Sequence, residues 1–343
     1  MVNINPLGMT DGELEAACIR SPFELRHSYS WTAEVYSFGK CFREAARYPK
    51  MFPLYVYSDH GAALHSNLFP HELNNGCSVH FTWHPDKVEK NPVSKKKLIH
   101  IEHPWISYRR LKGFRRADST SGTLVFYTHT VPGVKLEGCG GDEYFDQLRA
   151  LPPEFHPVVL CLHMHDIKSG LYKTLRRHGF PIVTAGNTSA DDFVDNFYKL
   201  VSRFSYASSQ EWGSQLAYCV ELGIPYFLLG RVPRLINLSH AEMPLGMVDE
   251  YQDDDHRRYM ETARQLFSYP SVSLTREKTD FIENILGMRS GVKPADLGGI
   301  IWGEFFRNWR KWYLVPQAML LTAARVVFSG TLEKIYRWRM RNN

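Results

Sequence analysis

Residues Ser205–Gly230 read SYASSQEWGSQLAYCVELGIPYFLLG. A short β-prone run, FSYASS, leads into a helical pattern over 211–222, which Gly223 and Pro225 close before a second apolar run, IPYFLLG. Strand, helix and strand at this spacing make a βαβ unit, and parallel strands so connected form an open doubly wound sheet. Upstream, VVLCLHMHD (158–166) is an unbroken apolar run of the kind buried on both faces of a parallel sheet. A helix over 168–178, a strand in FPIVTAG (180–186) and a helix over 190–202 continue the alternation.

Before Val158 stands ALPPEFHP (150–157), a proline-rich connector. On its far side FPLYVYSDHG (52–61) and GTLVFYTHT (122–130) read as buried strands, LIHIEHPW (98–105) as a third, with helical spacing at 31–47 and 142–150. The expected fold is α/β, with two Rossmann-like domains facing across a cleft, 1–150 and 151–299, followed by helices in 300–343.

The 343 residues are 44% hydrophobic and 22% charged, an ordinary globular composition. Six cysteines without CxxC spacing, Cys161 and Cys219 inside apolar runs, suit a reducing compartment. The N-terminal stretch lacks the pattern of a secretory signal, so a cytoplasmic location is expected. The net charge of +5 sits in the tail: residues 300–343 carry eight Lys/Arg against Glu304 and Glu333, and four of the eight tryptophans. Trp and Arg together suit the inner face of a membrane, while Pro316, Gln317 and Arg325 interrupt any spanning run. The alternative is a tail that packs its tryptophans on the protein. The charge run DEYQDDDHRR (249–258) reads as a solvated face. No nucleic-acid partner is expected.

In an open α/β sheet ligands bind outside the carboxyl ends of the strands. The strand ends here carry Asp59, His60 and Gly61; Thr128 and His129; His163, His165 and Asp166; Gly186; and Ser208, Ser209, Gly213 and Ser214. Serines and glycine at the mouth of helix 211–222 offer a phosphate small hydroxyl donors beside unpaired backbone N–H groups. Ser208 as an N-cap with Glu211 closing a capping box is the structural alternative. His163 and His165, two apart on a strand, share a face; phosphate contact, a core role and a metal site with Asp166 all remain open. Asp59 before Gly61 is either a general base or a turn carboxylate, with His60 and His129 beside it.

In order and strand context, the path from VVLCLHMHD through GFPIVTAG to FSYASSQEWGSQLAYCVELGIPYFLLG resembles the nucleotide-binding half of bacterial GT-B glycosyltransferases of lipopolysaccharide and capsule synthesis. It is similar in layout to bacterial sialyltransferases and other users of CMP-activated acidic sugars. The resemblance implies that His165 and Ser208-Ser209 hold the donor phosphate, that Asp59 is the base, and that no metal or other cofactor is required. The implied partners are a nucleotide sugar and a glycan or lipid-linked glycan acceptor. Departures are His-Met-His-Asp where the family has His-Pro, and Asp-His-Gly where it has two acids before glycine. A sugar-nucleotide epimerase or hydrolase on the same scaffold, and a metal-dependent hydrolase built on His163, His165 and Asp166, are the rival readings.

Overall fold

The computed structural model describes residues 7–19, 31–62, 64–92, 94–129, 133–138, 141–239, 246–247, 254–292 and 294–328. Thr130, Cys139, the start of the 249–258 charge run and the last fifteen residues, with Trp338, lie outside them. In chain order the strands are β1 (Val56–Ser58), β2 (Val79–Thr82), β3 (Lys97–His100), β4 (Thr123–Phe126), β5 (Val134–Glu137), β6 (Val158–Cys161), β7 (Ile182–Val183), β8 (Tyr206–Ser209), β9 (Tyr226–Leu228), β10 (Arg234–Asn237) and β11 (Gly246–Met247). The helices are α1 (Asp11–Ala17), α2 (Phe38–Ala46), α3 (Pro70–Leu73), α4 (Lys87–Lys90), α5 (Pro104–Lys112), α6 (Asp142–Arg149), α7 (Met164–Lys168), α8 (Leu171–Leu175), α9 (Phe193–Val201), α10 (Ser214–Glu221), α11 (Asp254–Phe267), α12 (Arg276–Ile285), α13 (Pro294–Arg307) and α14 (Leu314–Val327).

Two parallel sheets build two lobes. The first has the order β1-β2-β3; the second has the order β7-β6-β4-β8-β9. Numbered within the second sheet, that order is 3-2-1-4-5, the doubly wound arrangement whose direction reverses between β4 and β8. Every side chain of Val158–Cys161 is buried, as a strand covered by helices on both faces requires. Of the helices that cover the sheet, α9 buries Phe193, Val194, Phe197 and Val201, and α10 is buried all round from Leu216 to Val220. A small antiparallel sheet, β11-β10-β5, lies apart from both. The molecule is thus a two-lobed α/β protein with two Rossmann-like units facing a cleft.

The sheets divide the chain elsewhere than at the expected break near residue 150. Strand β4, grouped on sequence with the first 150 residues, pairs with both β6 and β8 at the centre of the second sheet. The N-terminal segment also joins that lobe: the Met9 N–H donates to the Ile182 carbonyl, and Tyr172 donates to Glu15. The proline-rich connector therefore runs inside the second lobe. The chain returns to the first lobe at its far end, where α13 packs along α2 and Gly298 lies close to the Ala46 carbonyl. Trp302 and Phe305 join Tyr48 and Phe52 in an aromatic cluster there. Helix α11 begins inside the charge run, but its Asp255 is buried against Ser66 and Lys90 and is no solvated residue.

Candidate functional site

A cavity of about 310 Å³ lies between the lobes at the carboxyl edge of the second sheet. His129 enters it beyond β4, His163 beyond β6, Gly186 beyond β7, and Gly213 and Ser214 at the start of α10; His60 and Gly61 face them from beyond β1. Most of the remaining wall is aromatic, including Tyr36, Trp105, Phe126 and Tyr218. Three histidines, His60, His129 and His163, line this space, and His165 stands next to His163 outside the lining. The rings of His129 and His163 stack with centroids 4.1 Å apart, and the His163 and His165 centroids are 5.0 Å apart. His129 reaches the cleft from the second lobe, not from the first as its sequence position suggested.

His163 and His165 are not strand residues sharing a face. Strand β6 ends at Cys161, and His163 is the N-cap of α7, its Nδ1 accepting the His165 N–H at 3.3 Å. That bond leaves the proton on Nε2. The Nε2–H is buried and has no hydrogen-bond partner among the described residues, so the imidazole holds an unused neutral donor at the cavity wall. The partner this donor lacks is a hydrogen-bond acceptor.

Electrostatics keep the cluster neutral. His60 and His129 are exposed side chains on the cavity wall. Loss of solvent, then repulsion from His129, lowers the His60 pKa to about 4; loss of solvent, then repulsion from His165, does the same for His129. Burial first, then the neighbouring histidines, holds His163 well below the ordinary value, and burial with Lys168 lowers His165. All four shifts run in the same direction, toward the neutral imidazole.

Asp59 does not enter the cavity. Its carboxylate is fully buried and accepts from His80 Nε2 at 2.8 Å, Lys87 Nζ at 2.7 Å and Thr82 Oγ1 at 2.6 Å. Burial works against its charge, but Lys87 and His80 outweigh that and hold its pKa well below the carboxylate range. A carboxylate buried outside the cavity and ion-paired with its own lysine is a structural group, which runs against its expected function as base. Among the described residues, three potential metal-ligand atoms come within 4.8 Å of one another at Asp59, His65 and Glu72. The cation there is the chain's own: Lys87 Nζ lies 2.7 Å from both Asp59 Oδ1 and Glu72 Oε1 and 3.2 Å from His65 Nε2. His163, His165 and Asp166 form no such group.

The serine pair also falls elsewhere than expected. Ser208 and Ser209 are the buried end of β8; the Ser208 Oγ has no partner among the described residues, and Ser209 donates to the Glu211 carbonyl at 2.6 Å. Helix α10 starts only at Ser214, capped by Gly213 without a side-chain bond, so neither the Ser208 N-cap nor the capping box forms. The Gln215 side chain folds back over Gly213, at 2.3 Å from where a Cβ would stand. Ser214 Oγ accepts the Ala62 N–H at 2.7 Å, tying the helix start to the first lobe. Gly186 lines the cavity, yet its glycine is explained by a φ of +95° and the Ala17 carbonyl 3.0 Å from a would-be Cβ.

Sequence reading missed two residues that join the lobes, Tyr218 on the cavity wall and His103 behind it. His103, the N-cap of α5, accepts the Trp105 N–H on Nδ1, so its Nε2 donates to the Tyr218 hydroxyl at 2.9 Å. Tyr218 in turn pairs with Ser214. The signal for His103 was its place directly before Pro104, the first residue of a helix. Gly61, with φ +63°, permits the same closure, because a Cβ there would lie 2.5 Å from Ser214 Oγ. Gly61→Ala is expected to lower stability by about 1–2 kcal/mol, from left-handed strain and from displacing Ser214. Thermal melting checks this; an unchanged Tm contradicts the close approach.

Comparison with known protein families, with curated proteins and with solved structures finds no match. Fold and site define the class on their own: a two-lobed α/β protein of Rossmann-like build, with a histidine-lined interlobe cavity at the sheet's carboxyl edge. Its buried acid and histidine cluster is separate from that cavity and carries an internal ammonium.

Proposed function

We propose that the protein is a GT-B glycosyltransferase that moves a sugar from a nucleotide-sugar donor to a glycan hydroxyl. One observation carries the reading: an unused neutral donor, His163 Nε2–H, stands beside His129 at the carboxyl edge of a 3-2-1-4-5 parallel sheet, with His60 facing it from the other lobe. The donor's phosphate accepts from His163, with His165 and the first N–H groups of α10 nearby. His60, unprotonated at neutral pH, takes the proton of the acceptor hydroxyl. The acceptor oxygen bonds to the anomeric carbon as that carbon's bond to the phosphate oxygen breaks. The charge growing on the phosphate raises the basicity of the imidazoles around it, which favours the proton's arrival. His129, stacked on His163, fixes the ring that donates. The aromatic wall limits water as a competing acceptor.

The likeness of motif order to transferases using CMP-activated acidic sugars favours that donor class and a lipopolysaccharide or capsule glycan as acceptor. A thermal-shift screen with CMP, UDP, GDP and dTDP tests the reading. Stabilisation by CMP above the others is expected. No stabilisation by any of the four contradicts a nucleotide site.

A further inference from the structure

The C-terminal segment changes character at Phe306. Up to Phe305 its aromatic residues pack on the first lobe, and Trp312 folds back to stack on Phe305 at 5.1 Å. Beyond that, large apolar side chains face solvent: Phe306, Trp309 and Tyr313 are 58%, 59% and 66% exposed. Helix α14 is apolar almost throughout, yet among its described side chains only Ala318 is buried. Met319, Ala323 and Val327 follow one another at every fourth residue, beside Leu320 and Ala324, and all five are exposed. Residues so spaced share one face, so α14 turns a wholly apolar face outward.

The charge on this segment identifies what covers it. Residues 305–328 contain Arg307, Arg310, Lys311 and Arg325 and no acidic residue. Arg307 is paired with Glu304, and Arg310 lies over the Trp309 ring at 5.5 Å. A second copy meeting this surface through a twofold axis would bring two such basic, acid-free segments together. An anionic bilayer supplies an apolar layer and negative headgroups together. The fourteen residues of α14 measure about 21 Å, short of the roughly 30 Å hydrocarbon core. No helix among the described residues is long and apolar enough to cross a membrane.

We infer that residues 306–328 are a docking surface for an anionic lipid bilayer, on which α14 lies in the plane of the interface with its apolar face inward. The inference is independent of the reaction assigned to the cleft. Flotation of the full-length protein with phosphatidylcholine vesicles, with and without phosphatidylglycerol, tests it. Binding about tenfold stronger to the anionic vesicles, weakened by high salt, is expected. The double variant Trp309→Glu/Leu320→Glu changes only exposed side chains and should abolish binding while keeping the wild-type Tm. Independently of any variant, brominated lipid should quench the wild-type tryptophan emission. Equal binding to both vesicle types, no quenching, or a stable dimer that Leu320→Glu dissociates would each overturn the inference; the last would assign the face to a second copy.

Discussion

Lys87→Ala should be the most damaging single substitution in the first lobe, lowering stability by about 3–5 kcal/mol, because it leaves two buried carboxylates facing each other without a cation. The lysine is completely buried; desolvation works against its charge, but Asp59 and Glu72 outweigh that and raise its pKa. Removing it reverses the balance: Asp59 and Glu72 then repel, and each lacks one of its donors. Their ligand atoms and that of His65 come within metal-binding range of one another, so the variant has a specific remedy. Zinc should raise the Tm of Lys87→Ala and leave that of the wild type unchanged, since the wild-type ammonium already fills the position. Thermal melts with and without zinc measure both effects. A Lys87→Ala protein as stable as the wild type would show that the ammonium is not what holds the cluster. By the same reasoning Asp59→Asn is a stability variant: it leaves Lys87 with one carboxylate instead of two.

The second large effect belongs to the cleft. His163→Ala removes the one buried donor of the cavity that has no partner among the described residues. A hydrogen bond to a charged phosphate contributes about 1.5–3 kcal/mol, so nucleotide affinity should fall by about ten- to a hundredfold. Lys87→Ala, where it folds, should bind nucleotide nearly as the wild type does, since its cluster lies outside the cavity wall. Calorimetric titration of the two variants separates these roles. Undiminished affinity in His163→Ala would remove the histidine from the phosphate site.

Why some of this was legible in the sequence and some was not follows from the range of the forces involved. Apolar runs such as Val158–Cys161 and Tyr226–Leu228 announce themselves locally, because a strand buried on both faces has no polar position to offer. The doubly wound half could therefore be read. The place of β4 at its centre could not, since strand order depends on which distant runs pair, and Leu124 carries no mark of Val159 or Ala207 as its neighbours. The histidines were found because polar residues directly after apolar runs fall at the sheet's carboxyl edge in any such fold.

Ser208 and Ser209 misled for a local reason. The strand continues through them, and the four residues from Gln210 to Gly213 separate them from the helix. Asp59 misled for a distant one: the groups that saturate it stand 21, 23 and 28 residues further along the chain, in segments with no periodic signal toward it. A buried lysine is rare, and nothing in TWHPDKVEK marks Lys87 as one. The turn from base to internal ion pair is thus a product of tertiary packing alone.

The central claim is that the histidines at the carboxyl edge of the second sheet receive the phosphate of a nucleotide. Nitrogen-15 NMR of the imidazoles during titration with CMP tests it most directly. The account predicts that the His163 Nε2–H resonance, assigned by its loss in His163→Ala, moves downfield on binding and that His60, His129 or His165 shifts with it. Saturable CMP binding that leaves all four imidazoles unmoved would contradict the account.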